Sequence, residues 1–223
     1  MDNTVCKKID TVVFDFDGTV MNTNNVIFKS WQHTFNRIRG RDGDIEYIRA
    51  TLGEPLEYSM RKTFPEVPLE ESIRIYRDYH RDRFPDMIEL FPGIEELLAA
   101  LKAGGYRTGL ATSRLRQTTY QGLGKYDLFK FFDEVITVED VSRAKPDPEM
   151  LLTMLDRLHS EPETSVMVGD TKLDIGCANN AGVTSVLVGW SEALAGKTRE
   201  DFTGNEVPDH IVGSPAELLE IVG

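Results

Sequence analysis

From Phe91 onward, short runs of β-branched and apolar residues alternate with segments of helical periodicity, and no two-residue turn signature joins one apolar run to the next. A helix from Ile94 to Ala103 should end at Gly104-Gly105 and lead into a strand, Arg107 to Ala111. A helix from Arg114 to Leu123 then precedes a strand from Glu134 to Thr137. The pattern continues with helix Pro148 to Leu158, strand Ser165 to Val168, helix Leu173 to Ala181 and strand Thr184 to Val188. A short strand, His210 to Val212, and a helix, Pro215 to Val222, with Ser214 as its N-cap, close the chain. Strands linked only through helices run parallel, and a parallel sheet must be covered on both faces. The expected fold class is therefore α/β, a Rossmann-like doubly wound parallel sheet.

The first strand lies far upstream of this alternation. Thr11-Val12-Val13-Phe14 reads as a buried strand that ends at Asp15-Phe16-Asp17-Gly18-Thr19, a tight turn permitted by its glycine. Between about Thr23 and Asp86 the spacing of Val26, Ile27, Trp31, Phe35 and Ile38, of Ile45, Ile48 and Leu52, and of Leu69, Ile73, Ile75, Tyr76 and Tyr79 is helical. About four helices are expected there, broken at Gly53-Glu54-Pro55 and Phe64-Pro65 and closed by Phe84-Pro85. Trp31 and Phe35 fit the core of this bundle. The expected organisation is thus an α/β core of residues 1–20 and 88–223 interrupted by an inserted α-helical domain of residues 21–87. The short connections at 20–23 and 84–91, with Pro85 and Pro92 in or beside them, suit a hinged lid.

Charge narrows the function. With 25 Lys and Arg against 37 Asp and Glu, the net charge is −12. That balance gives no basic surface for a nucleic-acid backbone or an anionic membrane. No apolar run approaches the ~18 residues of a membrane-spanning helix. The two cysteines, Cys6 and Cys177, form neither a disulfide framework nor a paired metal-binding motif, and Cys177 reads as a small apolar filler. A cytoplasmic protein, monomer or homodimer, without nucleic-acid or membrane partners is expected.

In open parallel sheets ligands bind beyond the carboxyl ends of the strands. The residues at those ends are Asp15, Asp17, Gly18 and Thr19 after the first strand, Thr112 and Ser113 after the second, and Gly169-Asp170 with Asp174 after the strand from Ser165. Lys145 lies in the Ala144-Lys145-Pro146-Asp147-Pro148 segment ahead of the next helix. Several carboxylates gathered at one mouth repel one another unless a cation sits among them. Oxygen ligands of that kind suit a hard octahedral ion such as Mg²⁺. A partly hydrated Mg²⁺ on a few carboxylates is the usual partner of substrate phosphate oxygens, so phosphoryl transfer is the leading chemistry.

Taken in order, Asp15-Phe16-Asp17-Gly18-Thr19, Thr112, Lys145 and Gly169-Asp170 through Asp174 resemble the four motifs of the haloacid dehalogenase superfamily, across essentially the whole chain. The four defined letters of the first motif alone would arise by chance in about one chain in a thousand of this length. An insert between the first and second motifs is similar to the members with a helical cap of the first type. The resemblance implies that Asp15 is a nucleophile forming an aspartyl-phosphate, and that Asp17 is the general acid and base. It implies that Thr112 binds a phosphoryl oxygen and that Lys145 offsets the charge of nucleophile and phosphate. Asp15, Asp170 and the main-chain carbonyl of Asp17 would ligate Mg²⁺, with Asp174 in the metal shell or orienting the lysine. Gly18, Thr19, Ser113, Arg114 and, from the cap, His33 are the candidate substrate-binding residues. An acid at Asp17 separates phosphatases and mutases from true dehalogenases, which lack it.

Met21-Asn22-Thr23-Asn24-Asn25, Gln32-His33-Thr34 and the segment around Lys145 are similar to the bacterial pyrophosphatases of this superfamily and to the phosphoglycolate phosphatases. The implied activity is Mg²⁺-dependent hydrolysis of a small phosphorylated metabolite or inorganic pyrophosphate. Two alternatives stand beside it, a β-phosphoglucomutase-like mutase, disfavoured by Asn22 where an aspartate is often found, and a non-catalytic binding or regulatory module of the same fold. Further cations for a doubly anionic substrate could come from Arg114, Lys172, Arg49, Arg61 or Lys62.

Overall fold

The computed structural model describes residues 8–52, 54–191, 194 and 196–223. Cys6 and Gly53 lie outside the described residues. In chain order the elements are β1 (Thr11–Phe14), β2 (Met21–Asn22), α1 (Asn24–Arg39), α2 (Ile45–Arg49), α3 (Leu56–Thr63), α4 (Leu69–Met87), β3 (Glu89–Leu90) and α5 (Ile94–Ala103). They continue as β4 (Arg107–Ala111), α6 (Arg116–Lys125), β5 (Glu134–Ile136), α7 (Glu149–Leu158), β6 (Ser165–Gly169), α8 (Lys172–Ala181), β7 (Thr184–Val188), β8 (His210–Val212) and α9 (Pro215–Val222). The chain divides into two compact units, Met1–Met21 with Leu90–Gly223, and Asn22–Glu89.

The first unit is built on a six-stranded sheet of order β5-β4-β1-β6-β7-β8, and every described pairing is parallel. From β1 the chain moves outward through β4 to β5, then returns to β6 on the other side of β1. This reversal makes the end of β1 the switch point of the sheet, where an open α/β fold leaves its crevice. Register then decides which residues meet there. Phe14 pairs with Leu110 on one side and Val168 on the other, so the residues that follow, Asp15, Thr112 and Asp170, emerge at the same edge.

Packing explains why the central strands are apolar throughout. Val13, Ala111, Ile136 and Met167 point to one face, where Met150, Leu151, Met154, Leu155 and Leu158 of α7 and Cys177 and Ala178 of α8 close the core. Cys177 is among these filling residues, and burial pushes its thiol up to about 11, so it is a spacer rather than a nucleophile. On the C-terminal side Ile175, Leu187 and Phe202 form a smaller cluster. This is the parallel α/β architecture expected from the alternation.

The second unit is helical. Trp31 and Phe35 of α1, Ile48 of α2, Met60 of α3, Phe64 at the end of α3, and Tyr76 of α4 make its buried centre, and Trp31 stacks on Phe64 with ring centroids 6.2 Å apart. A buried hydrogen bond of 3.2 Å between Ser30 Oγ and His80 Nδ1 joins α1 to α4.

Three local expectations are corrected. Phe84-Pro85 does not end α4, which runs to Met87 with the proline inside it. The missing proline N–H falls in the last turn, where one bond is lost, and the fully buried Phe84 and Ile88 hold the chain on either side. Helix α6 begins at Arg116 rather than Arg114, because Arg114 is held in the preceding loop by contacts described below. Ser214 does stand at the N-cap of α9, but its hydroxyl donates to Glu217 Oε1 at 3.0 Å instead of accepting from the helix.

Candidate active site

Asp15 leaves β1 with its N–H bonded to Val168 O at 2.9 Å, so the ladder to β6 continues one residue past the strand. Its carboxylate is buried and faces Lys145, whose Nζ lies 2.7 Å from Asp15 Oδ1, 2.6 Å from Asp174 Oδ1 and 2.9 Å from the Ala111 carbonyl. One ammonium thus spends its three donors on the ends of β1 and β4 and on the first turn of α8. Asp174 is fixed from behind by a capping box at the start of α8, its Oδ2 accepting from Thr171 N–H at 3.1 Å and Thr171 Oγ1 at 2.6 Å. Gly169 has no room for a side chain, since a Cβ there would sit 2.3 Å from Asp174 Cβ.

Asp170 completes the cluster. Oxygens of Asp15, Asp170 and Asp174 lie within 4.8 Å of one another. Asp170 Oδ2 accepts from Ser191 Oγ at 2.6 Å, while Oδ1 is buried with no hydrogen-bond partner among the described residues. Buried carboxylate oxygens almost always have a partner, so an unpartnered one in a cluster of three acids could take a cation. Hard oxygen donors at this density fit Mg²⁺.

The electrostatics agree. Burial pushes Asp15 up to about 7, with Asp174 and Asp17 adding to the rise and Lys145 opposing it. Burial, then Asp174 and Asp15, hold Asp170 well above the usual carboxylate range. Burial alone would depress Lys145, but the carboxylates of Asp15 and Asp174 outweigh it and keep the ammonium charged. Three acids around one lysine carry more negative charge than they neutralise, which added positive charge would relieve.

Asp17 sits apart from that cluster. Its carboxylate takes a bidentate hold from Arg114, with Nη2 2.6 Å from Oδ1 and Nε 2.9 Å from Oδ2, and the guanidinium lies 5.7 Å from the centre of the Phe16 ring. Thr112 is buried, donates its N–H to Ile136 O at 3.0 Å and accepts the Arg114 N–H on Oγ1 at 3.2 Å. These contacts keep Arg114 out of α6. Gly18 adopts φ +73°, which only glycine takes without strain, and its missing Cβ would fall 1.9 Å from Asp170 Oδ2. Thr19 is buried, and its carbonyl accepts the indole N–H of Trp190 at 3.0 Å.

The structure therefore brings Asp15, Asp17, Gly18, Thr19, Thr112, Arg114, Lys145, Asp170 and Asp174 to one edge of the sheet, with Ser113 exposed beside Thr112. His33 belongs to the helical unit, where its ring stacks on Tyr79 at 4.4 Å. Lys172 pairs with Glu206 at 2.9 Å, Lys62 with Glu54 at 3.5 Å, and Arg49 lies over Phe28. Sequence reasoning missed Trp190 and Ser191. They follow β7 directly, so the rule that the residues after each parallel strand carry the chemistry would have reached them.

Comparison with known proteins accords with this geometry. The haloacid dehalogenase-like hydrolase family matches residues 12–188. The pyrophosphatase PpaX of Halalkalibacterium halodurans is 36% identical over 217 residues, 97% of this chain and 98% of that protein. Among solved structures, a haloacid dehalogenase-like hydrolase from Streptococcus pneumoniae superposes with a TM-score of 0.83 at 26% identity, covering 96% of this chain and 99% of the other. A predicted phosphoglycolate phosphatase from Haemophilus somnus shares the fold, with a TM-score of 0.84 at 19% identity over 97% of this chain and 99% of the other.

Proposed function

Because this chain belongs to the haloacid dehalogenase-like hydrolases, we propose that it is a Mg²⁺-dependent phosphohydrolase whose substrate is inorganic pyrophosphate, cleaved through an aspartyl-phosphate on Asp15. The observation that carries the reading is the 36% identity, spread over almost the full length of both chains, with a protein named a pyrophosphatase. The Lys145 bridge between Asp15 and Asp174 supports the covalent route, since it aims a buried carboxylate and offsets its charge.

In the first step a carboxylate oxygen of Asp15 attacks one phosphorus, the bond from that phosphorus to the bridging oxygen breaks, and orthophosphate leaves. Lys145 offsets the charge that gathers on Asp15 and the transferring group, and Thr112 donates its hydroxyl to a phosphoryl oxygen. Asp17 first gives its proton to the departing oxygen and then takes one from water as that water attacks the acyl phosphate, releasing the second orthophosphate and restoring Asp15. Arg114, already bidentate on Asp17, orients that carboxylate between the two roles. Mg²⁺ would be held by Asp15, Asp170 and the main-chain carbonyl of Asp17, with Asp174 behind them, and when bound supplies positive charge to the phosphoryl oxygens.

The test is release of orthophosphate from pyrophosphate, 2-phosphoglycolate, β-glucose 1-phosphate and p-nitrophenyl phosphate, with Mg²⁺ and with EDTA, and with Asp15→Asn as control. Preference for pyrophosphate, abolished by EDTA and by Asp15→Asn, is expected. Preference for phosphoglycolate would overturn the substrate, and activity persisting in Asp15→Asn would overturn the covalent mechanism.

A further inference from the structure

Resting on the reading of Asp15, Asp170 and Asp174 as a cation site, we infer that Ser191 is the residue that positions Asp170 for the cation, as the end of a strap formed by Gly189, Trp190 and Ser191. The strap follows β7 and is tied at three points. Gly189 N–H donates to Val212 O at 2.7 Å, Trp190 Nε1 donates to Thr19 O at 3.0 Å, and Ser191 Oγ donates to Asp170 Oδ2 at 2.6 Å. It thereby links the outer strand β8, the turn that follows Asp15, and the acid after β6.

The two oxygens of Asp170 have opposite surroundings, and that difference defines the role. Oδ2 is wedged between the Ser191 hydroxyl and Gly18, where even a methyl group would overlap it. Oδ1 is buried and has no hydrogen-bond partner among the described residues. A carboxylate pinned at one oxygen and bare at the other presents a single lone-pair direction, as a ligand to a small ion with fixed octahedral demands must. Removing the hydroxyl would leave Oδ2 without its donor and free the torsion that aims Oδ1. Partners of this kind behind a metal-binding carboxylate typically change affinity by about 10–100-fold.

The experiment is Mg²⁺ binding to the whole, EDTA-treated and desalted chain by titration calorimetry, with kcat measured at saturating Mg²⁺. Ser191→Ala should weaken binding by about tenfold or more, while kcat at saturating Mg²⁺ stays near that of the wild type. Trp190→Phe, which removes only the tie to Thr19, should weaken it in the same direction by a smaller factor. Ser185→Ala is the comparison, because Ser185 is buried in β7, the strand that leads into the strap, and bonded to Asp209 Oδ2 at 3.0 Å. It should leave Mg²⁺ affinity unchanged. A folded Ser191→Ala with wild-type affinity overturns the proposal, as does an equal loss in Ser185→Ala. If Ser191→Ala does not fold, unchanged affinity in Trp190→Phe overturns it instead. Wild-type protein that binds no Mg²⁺ would overturn the cation-site reading itself and the proposal with it, a result distinct from the others.

Discussion

Replacing Asp15 by asparagine should make the metal-free protein more stable at pH 8 while abolishing turnover. Asp15 is buried, its oxygens lie within 4.8 Å of those of Asp170 and Asp174, and its ionisation is pushed from 3.8 up to about 7 despite the contact with Lys145. A carboxyl that holds its proton more tightly in the folded state stabilises the fold below its unfolded pKa. That contribution is lost as pH rises toward the folded value, here across the window from 3.8 to about 7. The full gap corresponds to roughly 4 kcal/mol at pH 8, of which less than half has accrued at pH 5. Asparagine keeps the shape and carries no charge, so the variant escapes this cost. Asp170, raised partly by Asp15, is relieved by the same change. Urea unfolding in EDTA should therefore show Asp15→Asn ahead of wild type by several kcal/mol at pH 8 and by less than half as much at pH 5. Added Mg²⁺ should narrow the gap from the wild-type side, because it binds only the folded acids. A variant no more stable than wild type at pH 8, or a difference that does not change between pH 5 and pH 8, would refute the account.

Other substitutions probe neighbouring parts of the structure. Lys145→Met strands two buried carboxylates, so in EDTA at pH 8 it should lose about 3–5 kcal/mol of stability, and phosphate release should fall by at least about a thousandfold; a stable, active variant would remove the lysine from the mechanism. Gly18→Ala forces a left-handed residue, costing about 1–2 kcal/mol, and drives its methyl into Asp170 Oδ2. Calorimetry should show weakened Mg²⁺ binding as well as a lower Tm, and a lower Tm alone would contradict the close packing. Trp31→Ala empties the centre of the helical unit, where the indole meets Phe35, Phe64 and Tyr76, and should cost that unit about 3–5 kcal/mol in urea unfolding. A loss below about 1 kcal/mol would mean that this cluster does not hold the bundle together.

What could be read from the sequence is what depends on backbone periodicity. Thr11–Phe14 is β-branched and apolar because both faces of the central strand are covered, and the sheet register then carries Asp15, Thr112 and Asp170 to one edge whatever lies between them in the chain. The acids and Lys145 were legible because few arrangements of charged residues at strand ends are electrostatically tolerable without a cation. Positions set by side chains reaching across the fold were not legible. Helical propensity cannot show that Arg114 turns back to Asp17, which lies 97 residues earlier and shortens α6 at its start. Nor can it show that α4 continues through Pro85, since that depends on burial of Phe84 and Ile88.

Ser191 illustrates the same limit and also its remedy. A serine after an apolar strand has no chemical signature of its own, and only the position of the strand end gives it meaning. The six parallel strands deliver their following residues to one edge of the sheet, and the ends of β1 and β6 stand out because the clustered acids Asp15 and Asp170 advertise a cation. Neutral donors matter in the same place for the opposite reason. A cluster with Asp15, Asp170 and Asp174 so close can be held in a fixed geometry only if each carboxylate has one oxygen tied by a donor that adds no further charge or by the shared lysine. Lys145 ties Asp15 and Asp174, and Thr171 takes the second oxygen of Asp174. Asp170 receives nothing from the lysine in the described bonds, so the requirement passes to Ser191. The hydroxyl after β7 is thus what the charge arrangement demands of that strand end, and its removal should be felt first in cation affinity and only afterwards in the chemistry.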